Sequence, residues 1–182
     1  MERRQLPPGV TFRNRRDRDE EASAAAKELV RDFRFRPWTS SYEKIHTVYD
    51  WICRNVTYDK VHRKNPYYHL CSTAYAALVQ HTAACQGYCT ALYRLLREAG
   101  ISCRIVTGTS SEESGELHAW VIAAVDGLYY SLDPTWDAGG DEYRYFLLGT
   151  DEFADHIRGD AFLTEEFLLS YPMAERSYNL SE

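Results

Sequence analysis

No stretch of this 182-residue chain has the length of apolar sequence needed to cross a bilayer, and the N-terminus lacks the apolar segment of a secretory signal. A cytoplasmic protein is expected if Met1 is the native start, and a secreted or cell-surface fragment if the chain has been trimmed. Positive charge is also in short supply. Against 27 Asp and Glu stand 21 Lys and Arg, a net charge of -6, and neutralising phosphates requires the opposite balance. The expectation is no nucleic-acid partner and no membrane partner. The five cysteines, Cys53, Cys71, Cys85, Cys89 and Cys103, form no regular framework. An odd count leaves at least one thiol free within a single chain, which suits a reducing compartment better than a disulfide scaffold. No internal repeat and no low-complexity tract interrupts the text, and nothing in it sets an oligomeric state.

What is present belongs to a packed protein: 45% apolar residues, 14% aromatics and fourteen Tyr. The length suits one domain. Residues 1–20 carry Arg3, Arg4, Arg13, Arg15, Arg16 and Arg18 around Pro7, Pro8 and Gly9, a basic, flexible arm or linker ahead of a domain over 21–182. A helix is expected from Asp19 to Phe35, stopped by Pro37. A second opens at Ser40, where Glu43 completes a capping box and Ile45, Val48, Tyr49, Ile52 and Val56 recur at helical spacing. The polar run DKVHRKNP reads as a loop. Short helical text follows over 72–80, then a helix from about Ala83 to Ala99, closed by Gly100.

Beyond Gly100 the period changes to that of strands: ISCRIVTGT, LHAWVIAAV and LYYSLD, with a further strand at YRYFLLG. Thr164 caps a last short helix, ended by Pro172. Helices followed by antiparallel strands describe an α+β domain.

Cys85 raises the chemical question. With Thr82 as N-cap, Cys85 sits in the first turn of its helix, beside N–H groups that have no intrahelical partner. A thiolate is stabilised there, and the thiolate is the form that attacks. Gly87 removes a side chain from the same turn, leaving room for a substrate or another backbone. Cys85 equally continues the apolar stripe Cys89, Leu92, Leu96, so the segment alone leaves nucleophile and buried thiol both open.

The hairpin supplies a partner. Asp126-Gly127 as a two-residue turn sets Val125 against Leu128, hence Trp120 against Asp133, with His118 one diagonal step away. Alternation puts His118, Trp120 and Asp133 on one face and Val121, Ala123, Val125, Leu128, Tyr130 and Leu132 on the other, apolar one. Diagonal neighbours are roughly 7 to 8 Å apart at the backbone, within reach of an imidazole and a carboxylate. In such a set Cys85 attacks a carbonyl carbon, His118 takes and returns the proton, and Asp133 fixes the imidazole. The Cys85 N–H is the natural first oxyanion donor. Tyr75 and Gln80 are candidates for the second, and Trp120, Trp136 and Tyr88 for lining an acyl-binding groove.

At these residues the sequence resembles a family. ACQGYCTAL, HAWVIAAVDGLYYSLDPTWD and STAYAALV resemble the core of the transglutaminase-like superfamily in its bacterial and archaeal branch, from about Tyr42 to His156. The resemblance implies a papain-like cysteine-proteinase fold with a Cys85, His118, Asp133 triad and a peptide or protein substrate. It also implies a protease, amidase or transglutaminase working through a thioester. The family includes inactive members, so the alternative is an idle peptide- or glycan-peptide-binding module on the same scaffold. Hydrolysis is favoured over crosslinking, since water is always available and no amine-binding feature is visible. Cys89 stands where the family usually has alanine, most simply a core substitution.

No cofactor and no metal is expected. Asp133, Asp137 and Asp141 are too widely spaced for an EF-hand loop. His69, Cys71, His81, Cys85 and Cys89 offer zinc-ligand types without a Cys-x-x-Cys pair. His46, His62, His69 and His156 are expected to be ordinary surface or core residues.

Overall fold

The computed structural model describes residues 14–65, 67–111 and 115–179. Asn14 and Asp17 form a capping box at the start of helix α1 (Arg15–Asp32), whose buried face is only Ala22 and Ala26. The expected arm is therefore helical from Arg15 onward, and its boundary at residue 20 falls inside α1. Asp19 on α1 pairs with Arg94. The earlier part of the expected arm, residues 1–13, lies outside the described residues.

Helix α2 (Ser41–Asn55) has the Ser40–Glu43 capping box and buries Ile45, Val48, Tyr49, Ile52 and Cys53. A parallel pair of two-residue strands follows, β1 (Thr57–Tyr58) and β2 (Thr82–Ala83). Between them lie a turn-rich loop, a 3-10 turn at Leu70–Ser72 and helix α3 (Ala74–Leu78). Helix α4 (Cys85–Glu98) buries Tyr88, Cys89, Ala91, Leu92, Leu95 and Leu96 and is the centre of the core.

Antiparallel strands β3 (Cys103–Ser110), β4 (Leu117–Val125) and β5 (Leu128–Leu132), with β6 (His156–Arg158), make a sheet of order β5-β4-β3-β6. Val125 pairs with Leu128 across Asp126 and Gly127, both at positive φ (51° and 88°), the geometry of a two-residue type I′ turn. That register buries Val121, Ala123, Val125, Tyr130 and Leu132 against the helices, while Leu128, at the turn, is exposed. The opposite face carries Trp120 and Ile122 into a second cluster with Val106 and Phe153.

YRYFLLG, expected as a strand, is not one. Its backbone hydrogen bonds go elsewhere: Arg144 and Tyr145 N–H to the Asp137 carboxylate and Tyr145 C=O to Asp133 N–H. Leu147 then turns through positive φ (50°), leaving one bridge, Ser131 to Leu148. Asp137 lies in the short helix α5 (Pro134–Asp137). Thr164 caps the last helix, α6 (Glu165–Ser170), as expected.

Candidate active site

Cys85 is the first residue of α4, and the N-cap is Ala84, without a side-chain cap. Thr82, the expected cap, is instead held in β2, where Thr57 and Asp59 N–H donate to the carbonyls of His81 and Ala83. The consequence for Cys85 is unchanged. Gly87 and Tyr88 N–H both return to Ala84 C=O, while the Cys85 and Gln86 N–H groups find no backbone acceptor among the described residues. Gly87 turns out to admit backbone: a Cβ there would stand 2.3 Å from the Cys71 carbonyl oxygen. That same carbonyl accepts the Ala84 N–H and anchors the start of the helix.

The Cys85 thiol is half-buried, whereas the other four cysteines are buried. It lies near enough to the His118 imidazole to help that ring hold its proton. His118 Nε2 lies 2.6 Å from Asp133 Oδ2. Asp133 follows β5 and caps α5: its Oδ1 accepts the Thr135 N–H at 2.9 Å. Burial would lower the His118 pKa, but the hydrogen bonds to Asp133 and Cys85 prevail and hold it up at about 10. Burial likewise pushes the Asp133 carboxyl up, and its bonds to His118 and His156 bring it below the usual carboxylate range.

His156 is the residue that sequence reasoning passed over. It is buried, and Nε2 lies 3.1 Å from the same Asp133 oxygen. Its strand β6 is three residues long, too short to carry a readable period; the only local signal is the acid beside it, Asp155. His118, Asp133 and His156 present ligand atoms within 4.8 Å of one another. Two donors on a tetrahedral zinc stand about 3.3 Å apart. The 2.6 Å contact between His118 and Asp133 is a direct hydrogen bond instead. The five residues of zinc-ligand type around Cys85 form no such cluster among the described residues.

Trp136 is half-buried and stacks on His118 with ring centroids 5.2 Å apart. Trp120, a candidate for the groove, is wholly buried beneath the site, because a central strand covered on both faces offers no groove there. Tyr88 is also wholly buried, its hydroxyl donating to Val56 C=O. Tyr75 and Gln80 face different places. Tyr75 is buried and lines a cavity of about 700 Å³ with Gln86 and Arg94, whereas exposed Gln80 lines one of about 360 Å³ with Cys71 and His62. Cys89 is at zero exposure in the core, and burial pushes its thiol pKa well up.

No helix among the described residues is long and apolar enough to cross a membrane. The chain is similar to the kyphoscoliosis peptidase of Homo sapiens, 28% identical over 127 residues, which is 65% of this chain and 19% of that protein. The Mus musculus protein of the same name is 29% identical over 121 residues, 62% of this chain and 18% of that one. The chain thus spans about a fifth of the length of these curated relatives. In fold it is similar to a crystal structure of a TGase, with TM-score 0.57 and 18% identity over 75% of this chain and 37% of that one. The model of the transglutaminase-like superfamily matches residues 21–134, which run from α1 through Cys85 and His118 to just past Asp133. With that match over more than half its length, the chain belongs to the transglutaminase-like superfamily.

Proposed function

We propose that this domain is a thiol-dependent acyl-transfer enzyme acting on amide or peptide bonds, with Cys85 as nucleophile, His118 as acid and base, and Asp133 orienting His118. The observation that carries this reading is the half-exposed Cys85 thiol at a helix start, against an imidazole whose far nitrogen is 2.6 Å from a buried carboxylate. The Cys85 sulfur adds to the carbonyl carbon, and the oxyanion takes the N–H groups left open at the start of α4. His118 gives its proton to the leaving amine as the C–N bond breaks, which leaves a thioester on Cys85. Water, deprotonated by the now neutral His118, then attacks the thioester and releases acid and thiol. An amine acceptor in place of water gives a new amide. Hydrolysis is the favoured outcome; the curated relatives carry the name peptidase.

The test is alkylation of Cys85 across pH in the wild type and in His118→Ala. Rapid labelling that persists below neutral pH and collapses in the variant supports the enzyme. Labelling indifferent to His118 supports the idle binding module and ends this reading. A peptide library scored for both cleavage and amine incorporation then separates hydrolysis from crosslinking.

A further inference from the structure

His156 opens β6 at the edge of the sheet, and its side chain has no exposure to solvent. Both ring nitrogens face acids. Nε2 is 3.1 Å from Asp133 Oδ2, the oxygen that also receives His118 at 2.6 Å, and Nδ1 is 2.7 Å from Asp155 Oδ1. Asp155 is anchored in turn by the Tyr145 hydroxyl, which donates to its other oxygen at 2.9 Å. A carboxylate only accepts, so a ring between two of them donates from both nitrogens. Aromatic rings surround it: Phe153 stacked at 3.9 Å, Trp136 at 4.4 Å and the edge of Trp120 at 5.1 Å. Aromatic faces suit a ring that carries positive charge.

We propose that His156 is a positioning residue for the thiol chemistry: it donates to Asp133 from a direction other than that of His118 and so keeps that carboxylate ionised and aligned. The working unit is then a chain of five groups, Asp155, His156, Asp133, His118 and Cys85. The inference rests on the acyl-transfer reading given above.

Around Asp133 stand His118 from β4, His156 from β6, Asp137 from α5, Tyr49 and Cys53 from α2, and Cys89 from α4. Of these, only the two histidines can bring positive charge to it. A buried carboxylate is costly unless paired and hydrogen-bonded. With His156 gone, Asp133 keeps one imidazole and one backbone N–H, and burial, which raises its pKa, meets less opposition. The family match stops at residue 134, so His156 lies outside the matched span.

The experiment measures the Cys85 alkylation rate by iodoacetamide against pH in the wild type, His118→Ala, His156→Phe and His156→Gln, with folding followed by circular dichroism. His156→Phe, which keeps the aromatic packing, lowers the plateau rate about tenfold, the size of a lost hydrogen bond to a charged group. It also moves the acid limb of the profile up by about one pH unit as Asp133 becomes easier to protonate. His156→Gln, whose amide reaches the same oxygen without charge, regains most of the plateau and keeps the moved limb. A folded His156→Phe protein with the wild-type profile overturns the inference. So does a loss of stability with the limb unmoved, the mark of a purely structural histidine. Should His156→Phe not fold, an unmoved limb in His156→Gln overturns it equally. A wild type that ignores His118→Ala overturns the acyl-transfer reading itself, whereas a wild type that responds to His118 and ignores His156 overturns only this inference.

Discussion

His118 Nε2 and Asp133 Oδ2 stand 2.6 Å apart across fifteen residues of chain, joined by a hairpin whose two-residue turn sets their register. One residue more in that turn would send one of the two side chains to the other face of the sheet. The His118–Asp133 pair is thus a product of turn geometry, and Cys85, on α4, is brought near it by packing of that helix on β4.

Stability should peak in mildly acidic solution. The folded His118 pKa is raised from 6.5 to about 10, so its contribution is complete below 6.5 and disappears as pH climbs through about 10. Asp133 is lowered from 3.8, so its contribution is complete above 3.8 and is lost as pH falls through its lower folded value. Melting temperature against pH should therefore be highest between these limits and decline toward pH 10. His118→Gln should flatten the alkaline decline; an unchanged slope would contradict the assignment.

Thiol labelling of the native protein should be confined to Cys85. Cys53, Cys71, Cys89 and Cys103 are buried, and burial raises each of their pKa values. Mass spectrometry after brief treatment with iodoacetamide should find one adduct, mapped to Cys85, and five adducts in denaturant. Prompt labelling of Cys89 would contradict its placement in the core.

Gly87→Ala should damage both stability and reactivity. The new methyl group would meet the Cys71 carbonyl oxygen at 2.3 Å and the Ala83 side chain at 2.7 Å, so the start of α4 must move. A loss of about 1 to 3 kcal/mol is the usual cost of overpacking. Because the displaced turn carries Cys85, its alkylation rate should fall in the fraction that remains folded, as read by urea titration alongside labelling kinetics.

Tyr49→Phe should cost about 1.5 to 3 kcal/mol in chemical denaturation, the range for a hydrogen bond to a charged group. The Tyr49 hydroxyl donates to Asp137 Oδ2 at 2.6 Å in the buried interior, and Asp137 also accepts the Arg144 and Tyr145 N–H groups. The variant should loosen the segment around Arg144 and Tyr145, which hydrogen exchange at those amides reports. A neutral substitution would show that the Asp137 carboxylate is satisfied without Tyr49.

Several features were legible in the linear text because they depend on neighbours in the chain. The Ser40 capping box, the stripe of α2, the Asp-Gly turn and the shared face of His118 and Asp133 follow from local geometry that residue type and spacing dictate. Short-range rules misplaced what nonlocal bonds decide. Thr82 has the side chain of an N-cap, yet a strand from before α3 claims it. YRYFLLG has the composition of a strand, yet the Asp137 carboxylate takes its N–H groups.

By itself the sequence determined the α+β order of helices and strands, the place of Cys85 in the first turn of a helix and the pairing of His118 with Asp133. Each of these rests on periods and turns of a few residues. Only the tertiary structure decided that Trp120 is sealed in the interior, that Gly87 makes room for the Cys71 carbonyl, and that His156 reaches Asp133 from β6. Those are contacts between segments distant in the chain, chosen by burial and by the need of buried polar groups for partners, and no local spacing records them.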